Sequence, residues 1–428
     1  MTNQRKISVT GLGYVGLTTA VAFSALGKVI ALDTSQKRIS ALKDGHDINN
    51  EVTDTQLISP NIIFTTDSAE LKHADFHIIT VPTPLDSSNI PDFSMLLNAS
   101  EVVGTQLKKG DIVVYESTVY PGATEEKCIP VLAKCSGLTY GKDFTVGYSP
   151  ERVNPSDKIH VFNNIVKIVS GTDQKTLEIV SKVYGSVVKA GVFPVSSIRV
   201  AEATKVIENT QRDINIAFMN DIAIMLHSFG METTEVIAAM KTKWNYIPFQ
   251  PGLVGGHCIG NNSYYLMHKA EEVGYHSDTI MAGRRVNENM AKFIVDETIK
   301  KLIKKGFLIK GARIAVLGLT YKENCSDLRD TKVIDIIHQL KSYGMEVLVH
   351  DPIAHNDIAK KEYQIELVTW KELINLDALI LAVAHKEYIH LNKNRILEML
   401  NGNGLIMDIK EIFNSDEFYD TGITIWRL

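Results

Sequence analysis

Cysteine is scarce in this 428-residue sequence, and neither sign of charge dominates it. The four cysteines, Cys128, Cys135, Cys258 and Cys325, form no CxxC pair and no clustered spacing, which argues against a disulfide framework and a structural zinc site. We therefore expect a protein of the reducing cytoplasm that binds no metal. Lys and Arg number 45 and Asp and Glu 50, so no overall basic field is present to hold nucleic acid or an anionic membrane.

A convincing membrane segment is also lacking. The uncharged run of residues 7–27, preceded by Arg5 and Lys6, has the length of a membrane span and superficially resembles a signal peptide. Its glycines and threonines speak against both, and the run is better explained as a strand, a tight turn and a helix. We expect no membrane association.

The apolar pattern predicts two α/β regions on either side of a helical segment. Short buried runs alternate with helix-like stretches, as in a parallel sheet covered on both faces, at residues 7–10, 29–32, 76–81, 111–115 and 144–147. From residue 197 to about 303, apolar residues recur at spacings of three and four, most clearly over residues 200–229, and strand signals nearly vanish. A second α/β region begins at residue 312, with strands expected at 346–349 and 378–383 and a helix at 333–343.

The first motif is GLGYVG, which runs from Gly11 through Gly13 to Gly16 between a predicted strand and a predicted helix, with Asp33 at the end of the next strand. Glycines here allow a tight turn and let a pyrophosphate approach backbone N–H groups, while Asp33 accepts hydrogen bonds from ribose hydroxyls. The alternative is a turn that merely needs small residues. Because Asp33 would repel a 2′-phosphate, NAD is favoured over NADP, although Arg38 nearby weakens that inference.

The second motif is a cysteine in a glycine-rich loop, PGLVGGHCIG, in which Cys258 follows His257. A thiolate is the side chain best able to trap an aldehyde covalently, and the glycines permit close approach of a substrate. The alternative is a small buried side chain in a tight turn. Adjacent side chains in extended backbone point to opposite sides, so we expect His257 to be structural. Cys128 and Cys135, seven residues apart in a helical stretch, are expected to be packing residues, and Cys325 is ambiguous.

The third motif is the pair Lys205 and Asn209, four residues apart in a predicted helix, which places both side chains on one face. Most such pairs only face solvent. This helix is unusually apolar, which allows a partly buried lysine, and a buried lysine needs an anionic or oxyanion partner.

Several separated motifs together resemble the UDP-glucose/UDP-N-acetylmannosamine dehydrogenase family over essentially the whole chain. They occur in the family's order: GLGYVGL, ITVPTP, YESTVYPG, YSPERVNP, KVIENTQRD, PGLVGGHC and GLTYKENCSDLRDT. Within the family, residues 151–155 (ERVNP) and 243–245 (KWN) are similar to the N-acetylhexosamine enzymes of bacterial O-antigen and Vi-type capsule synthesis.

The resemblance implies an α/β fold of two Rossmann-like doubly wound domains joined by a helical domain with a long central helix. The expected borders are residues 1–196 for an NAD-binding domain, 197–305 for a helical domain that forms the core of a homodimer or higher oligomer, and 306–428 for a UDP-binding domain.

The resemblance also implies roles for individual residues. The expected NAD site comprises Gly11, Gly13, Tyr14, Val15, Gly16, Asp33, Arg38, Thr83, Thr118 and Arg329. The expected UDP-sugar site comprises Glu151, Arg152, Asn154, Lys205, Asn209, Phe249, Gly252, Gly255 and Lys322. The residues expected to take part in the chemistry are Cys258, Lys205, Asn209, Glu151, Thr118 and Asn262.

The implied activity is NAD-dependent four-electron oxidation of C6 of a UDP-N-acetylhexosamine, UDP-GlcNAc or UDP-GalNAc, to the UDP-uronic acid. Lys205 and a water held with Asn209 would stabilise the alkoxide of the first step, and Cys258 would then form a thiohemiacetal and a thioester. Glu151 is the candidate for orienting or deprotonating the hydrolytic water. UDP-ManNAc and UDP-glucose are the alternative substrates.

One position departs from the family pattern. The family usually has an aspartate four residues after the cysteine, whereas this chain has Asn262, which can hydrogen-bond a water but cannot take a proton. A catalytically impaired nucleotide-sugar-binding protein is therefore one alternative. A two-electron dehydrogenase of the 6-phosphogluconate type is another, but it needs neither the cysteine loop nor the second α/β region.

Overall fold

The computed structural model describes residues 5–49, 51–58, 61–152, 160–256 and 259–428. The chain divides into two compact units, Met1–Glu208 with Tyr264–His276, and Asn209–Ser263 with Ser277–Leu428. The three domains with borders at 196/197 and 305/306 stay a prediction. Among the described helices, none has the length and apolar character needed to cross a membrane.

The first unit is built on an eight-stranded sheet in the order β3-β2-β1-β4-β5-β6-β7-β8. The strands are β1 (Ile7–Thr10), β2 (Val29–Leu32), β3 (Ile62–Thr65), β4 (Phe76–Ile79), β5 (Ile112–Tyr115), β6 (Thr145–Tyr148), β7 (Lys167–Gly171) and β8 (Val192–Pro194). Neighbours pair in parallel, except that β7 runs antiparallel to β6. The first six strands have the order of a dinucleotide-binding fold, whose ligand crevice lies at the carboxyl ends of the strands, where the order reverses between β1 and β4.

Alternate residues of these strands pack on opposite faces of the sheet. Val29 and Ala31 of β2 belong to one apolar cluster, and Ile30 and Leu32 belong to another. Helices cover both faces, as a parallel sheet requires. They are α1 (Tyr14–Ser24), α2 (Gln36–Lys43), α3 (Asp54–Leu57), α4 (Ser94–Gly104), α5 (Ile129–Ser136) and α6 (Gln174–Gly185).

Helices are the only regular elements among the described residues of 197–305, and turns and loops connect them. The helices are α7 (Ile198–Ser228), α8 (Thr233–Lys241), α9 (Ile259–Glu272) and α10 (Asp278–Lys304). The prediction of a long helix over residues 200–229 is confirmed, since α7 has 31 residues. The prediction that Cys128 and Cys135 lie in a helical stretch is confirmed as well. Cys128 ends a π-helical turn, Thr124–Cys128, and is buried, and Cys135 lies in α5.

The second unit contains a parallel five-stranded sheet in the order β10-β9-β11-β12-β13. Its strands are β9 (Arg313–Leu317), β10 (Glu346–His350), β11 (Leu376–Leu381), β12 (Leu400–Asp408) and β13 (Thr424–Arg427). Its helices are α11 (Val333–Ser342), α12 (Asn356–Tyr363), α13 (Lys386–Ile389) and α14 (Lys393–Met399). This is the second common doubly wound order, in which the ligand crevice lies between the carboxyl ends of β9 and β11.

The predicted fold class of two doubly wound α/β regions and a helical segment is confirmed. The sequence analysis did not predict β3, β7, β8, β12 and β13, nor the reversed direction of β7.

Candidate active site

The turn between β1 and α1 needs its glycines for different reasons. Gly11 has a φ of +93°, and a Cβ there would lie 2.9 Å from Val81 Cγ1. A Cβ at Gly16 would overlap the carbonyl oxygen of Gly11. Gly13 faces open space, and among the described residues no side chain caps α1, which begins with Tyr14-Val15. The turn thus has the shape that a pyrophosphate needs to approach a helix N-terminus.

Asp33 follows β2 and reaches back to this turn. Its Oδ2 accepts a hydrogen bond from Leu12 N at 2.8 Å, and its Oδ1 accepts one from Ser35 N at 2.8 Å. Arg38 donates from Nε to the carbonyl of Leu12 at 3.0 Å, and its Nη1 lies 2.7 Å from Asp47 Oδ1. Asp47 therefore compensates the charge of Arg38, while Asp33 occupies the place of the ribose-binding acid in a dinucleotide fold.

Thr83 and Thr118 follow the adjacent strands β4 and β5 at the same edge of the sheet. Thr83 Oγ1 donates to the carbonyl of Thr118 at 2.6 Å, and Tyr265 OH donates to the carbonyl of Thr83. The predicted NAD-site residues of the first unit therefore follow β1, β2, β4 and β5, around the point where the strand order reverses.

Glu151 follows β6 at this edge and is 5% exposed. Its carboxylate forms an ion pair with Lys167, whose Nζ also lies 3.2 Å from Glu116 Oε2. Tyr184 OH donates to Glu116 Oε1 at 2.5 Å. Burial raises the pKa of Glu116, although the charge of Lys167 opposes this effect. Burial lowers the pKa of Lys167, but the two carboxylates outweigh burial and the pKa is raised.

The sequence analysis singled out none of Lys167, Glu116 and Tyr184. A lysine at the start of the apolar run KIVSG is the one signal that could have pointed to Lys167. Its partners come from other strands and from α6, and no local spacing connects them.

Lys205 and Asn209 lie four residues apart in α7, and both are buried. Lys205 Nζ donates to the carbonyl of Glu151. Arg152 Nη2 lies 2.6 Å from a carboxylate oxygen of Glu208, which immediately precedes Asn209. Two consecutive residues of the segment after β6 are thus tied to α7, the helix that carries the predicted alkoxide-stabilising lysine.

In the second unit, the predicted substrate loop Phe249–Gly256 is held through its glycines. Gly252 N donates to Asn220 Oδ1 at 2.7 Å, and Asn220 Nδ2 donates to the carbonyl of Gly252 at 3.0 Å. A Cβ at Gly255 would lie 2.8 Å from the carbonyl oxygen of Asp330. Larger side chains at Gly255 would therefore displace the loop from the segment that carries Asp330.

Asn262 is buried in α9, and its Nδ2 has no hydrogen-bond partner among the described residues. The next residue, Ser263, donates to Asp213 Oδ2 at 2.6 Å, and Arg284 Nη1 lies 2.7 Å from Asp213 Oδ1. This buried ion pair, which sequence reasoning did not find, holds the first turns of α9 and with them Asn262.

Lys322 and Arg329 lie in the segment after β9, at the carboxyl edge of the second sheet. Lys322 is partly buried. Arg329 is exposed, and its Nη2 lies 2.5 Å from Asp327 Oδ2. The contribution of Arg329 to the NAD site and of Lys322 to the UDP site stay predictions.

A buried Asp–His pair anchors this segment. Asp351 Oδ2 accepts hydrogen bonds from Leu319 N at 2.7 Å and Thr320 N at 3.2 Å. His385 Nδ1 accepts one from Asn324 N at 2.9 Å, so the ring proton is on Nε2, which lies 3.1 Å from Asp351 Oδ2. Burial favours a high pKa for Asp351, but hydrogen bonds from His385 and from backbone N–H groups lower it to about 2.

Cys258, His257 and Asn154 lie outside the described residues. The covalent role of Cys258, the structural role of His257 and the substrate contact of Asn154 therefore stay predictions.

Three domains of the UDP-glucose/GDP-mannose dehydrogenase family match this sequence in order. The NAD binding domain matches residues 5–188, the central domain residues 199–289 and the UDP binding domain residues 315–415. The chain belongs to this family. The family resemblance and the NAD cofactor predicted from the sequence are confirmed, and the glycine-rich turn with Asp33 lies in the NAD binding domain.

Relatives in the UDP-glucose/GDP-mannose dehydrogenase family match nearly the full chain. Protein CapL of Staphylococcus aureus is 55% identical over 99% of this chain and 100% of that protein. The UDP-N-acetyl-D-glucosamine 6-dehydrogenase of Salmonella typhi is 45% identical over 96% of this chain and 97% of that protein. Among solved structures, the UDP-D-ManNAc dehydrogenase from Pyrococcus horikoshii has a TM-score of 0.89 at 30% identity and covers 99% of this chain and 98% of its own.

Proposed function

We propose that this protein is an NAD-dependent UDP-N-acetyl-D-glucosamine 6-dehydrogenase, which oxidises C6 of its substrate to a carboxylate for the synthesis of a bacterial surface polysaccharide. The observation that carries the proposal is the 45% identity, over nearly the whole chain, to an enzyme named for this activity. The identity to the solved UDP-D-ManNAc dehydrogenase is 30%. The ERVNP and KWN segments of the sequence support the same substrate class.

The NAD site is formed by the turn after β1 and by the residues that follow β2, β4 and β5. When bound there, NAD supplies a hydride acceptor. The N-terminal turn of α1 would hold the pyrophosphate, and Asp33 would accept hydrogen bonds from the ribose diol. Gly13 would leave the space for the pyrophosphate to approach, because a Cβ there would meet no atom of the described residues within 4 Å.

The chemistry begins at a lysine that is already buried. Lys205 is 7% exposed, so its ammonium stabilises an oxyanion more strongly than it would in water. In the first oxidation the C6 hydroxyl would give its proton to solvent and C6 would give its hydride to bound NAD, while Lys205 and a water held with Asn209 would stabilise the developing alkoxide. The product of this first oxidation is an aldehyde.

The second oxidation uses the predicted nucleophile. The Cys258 thiolate would add to the aldehyde carbon to form a thiohemiacetal, which would become a thioester by giving its hydride to a second bound NAD. Water then breaks the carbon–sulfur bond, releasing the carboxylate and returning the thiol. Glu151 orients or deprotonates this water.

The test is the ratio of NADH formed to UDP-sugar consumed, measured with UDP-GlcNAc, UDP-GalNAc, UDP-ManNAc and UDP-glucose. We expect about two NADH per sugar, as a four-electron oxidation requires, and the highest kcat/KM with UDP-GlcNAc. A ratio of about one would indicate a two-electron dehydrogenase, and no NADH would indicate a binding protein.

We further propose that the protein works as a homodimer in the cytoplasm. Four apolar residues of α7 are 41–57% exposed: Val200, Ile207, Phe218 and Met225. Their spacings of 7, 11 and 7 residues return to one side of a helix, so they form a single stripe, which fits a second copy of this chain. The described cysteines Cys128, Cys135 and Cys325 are free, which supports a reducing compartment.

A further inference from the structure

The reversed strand β7 brings a lysine to the sheet edge at which Glu151 lies. β7 runs antiparallel to β6, with Ser170 opposite Tyr148. Continuing this register by three residues places Lys167, the first residue of β7, opposite Glu151. A strand parallel to β6 would begin at the other edge of the sheet, so the reversal is what delivers the lysine.

The surroundings of Lys167 keep its ammonium away from water. Lys167 is 3% exposed, Glu116 is 4% exposed and Tyr184 is fully buried. The ring centroids of Phe162 and Tyr184 lie 5.0 Å and 5.3 Å from Lys167 Nζ. Since the interior screens charge weakly, the position of this ammonium strongly affects both carboxylates that it contacts.

Two carboxylates share this ammonium. If Glu116, Glu151 and Lys167 were all ionised, the cluster would hold one negative charge in excess, which is costly in a buried place. Burial raises the pKa of Glu116, although Lys167 opposes this effect. Tyr184 OH donates to Glu116 Oε1 at 2.5 Å, so Glu116 has a second partner besides Lys167. Because both carboxylates contact Lys167, Glu116 competes with Glu151 for its positive charge.

Two further charged groups near Glu151, Lys205 and Arg152, connect it to α7. Lys205 Nζ donates to the carbonyl of Glu151. Arg152 pairs with Glu208 at 2.6 Å. Lys167 thus holds the side chain of Glu151 while Lys205 holds its main chain, and displacing one contact would disturb the other.

We propose that Lys167 is a positioning residue, which holds the carboxylate of Glu151 in place and supplies the positive charge beside it, in competition with Glu116, for the hydrolysis of the thioester. The inference rests on the proposed function, in which Glu151 acts on the hydrolytic water.

The test is the pH dependence of kcat in matched variants. Lys167→Met removes the cation and keeps most of the volume, so we expect kcat at neutral pH to fall by about a hundredfold, as displacement of a catalytic group can cause. The acidic limb of the pH profile of kcat should move up by about one pH unit, because the positive charge that contacts the Glu151 carboxylate is gone. KM for the UDP-sugar should change less than kcat, and intact mass should reveal an accumulated acyl-enzyme.

Glu116→Gln is the second variant, and it tests whether Glu116 competes with Glu151 for Lys167 even if Lys167→Met fails to fold. This change removes the competing carboxylate, so the acidic limb of the pH profile should move to lower pH. In the double variant with Lys167→Met, Glu116→Gln should reverse part of the upward shift that Lys167→Met causes. Lys167→Arg keeps a cation and should keep the limb near its original pH. Lys182→Met, at an exposed lysine of α6, is the control and should match the wild type.

A packing role for Lys167 would lower kcat at every pH without moving the limb, and Glu116→Gln would leave the profile unchanged. Either result overturns the inference. The NADH-to-sugar ratio of the unaltered protein tests the proposed function separately, since it does not depend on any variant.

Discussion

At the scale of single residues, Glu202 shows how burial and hydrogen bonding compete. It is fully buried in α7 and accepts hydrogen bonds from Gly122 N at 2.5 Å and Thr124 N at 2.9 Å. Burial raises its pKa from 4.5 to about 7, although these donors favour the ionised form. The folded state therefore holds this proton more tightly than the unfolded state. Its contribution to stability is complete below about pH 4.5 and is lost as the pH rises to about 7.

Glu202→Gln should remove this contribution. Between pH 5 and pH 8, Glu202 should lower the unfolding free energy of the unaltered protein by on the order of 3 kcal/mol. The fall in unfolding free energy over this range should be smaller by the same amount in the variant. Urea denaturation at a series of pH values measures the difference, with Glu178→Gln at an exposed glutamate of α6 as the control. Equal pH slopes for Glu202→Gln and the unaltered protein would contradict the assignment.

Cys258 is tested by separating the two oxidations. The first does not need sulfur, so Cys258→Ala should release at most one NADH per sugar and no uronic acid. In Cys258→Ser, the hydroxyl forms an ester that hydrolyses far more slowly than a thioester, so a covalent sugar adduct should accumulate and be visible in the intact mass. If Cys258→Ala makes uronic acid with the usual two NADH, Cys258 only packs the loop.

Site residues were predictable from the sequence where the residues of one feature lie close together in the chain. Gly11, Gly16 and Asp33 belong to one βαβ unit, so their spacing alone indicated the turn. Lys167 and His385 were not predictable, since each acts on a residue from another strand end. Contacts of this kind depend on strand order and direction, which hydrophobic patterns do not specify.

At the scale of elements, unpredicted strands such as β7 and β8 are short or contain residues that are unusual in buried strands. β8 has three residues and ends in a proline, and β7 begins with a lysine and ends in a glycine. Strands buried on both faces, such as β1 and β5, were predictable because their runs are continuously apolar. The helix after β1 begins at Tyr14, so the second half of the GLGYVG motif belongs to its first turn.

The βα turn offers a matched pair of substitutions. In Gly13→Ala the added methyl group meets no atom of the described residues within 4 Å, so stability should change by less than about 1 kcal/mol while KM for NAD rises at least about tenfold. Gly16→Ala overlaps the carbonyl of Gly11, so it should lower stability by about 1–3 kcal/mol as well as impair NAD binding. Thermal denaturation and initial rates at varied NAD measure the two effects. Equal loss of stability in both variants would mean that Gly13 serves the turn and not the cofactor.

At the scale of the whole molecule, the two sheets repeat one local design. Gly11 and Gly318 follow the first strand of their sheets with φ of +93° and +92°. Asp33 and Asp351 follow the second strand and accept hydrogen bonds from backbone N–H groups of the first turn. The apolar patterns predicted both sheets as α/β regions, but the repetition became visible only from the strand order and the hydrogen bonds.

The stripe on α7 gives the molecule-scale prediction. Exposed apolar residues on a single face favour burial against another surface, and a second copy presents the same face. Phe218→Glu places a carboxylate in the stripe that the second copy would bury, so it should weaken the dimer by on the order of a hundredfold or more. Sedimentation analysis should then show the 47.6-kDa monomer at concentrations at which the unaltered protein is dimeric. Leu308→Glu is the matched control, since Leu308 is 83% exposed and lies outside α7. If the unaltered protein sediments as a monomer, or if Phe218→Glu and Leu308→Glu have the same effect, α7 is not the interface.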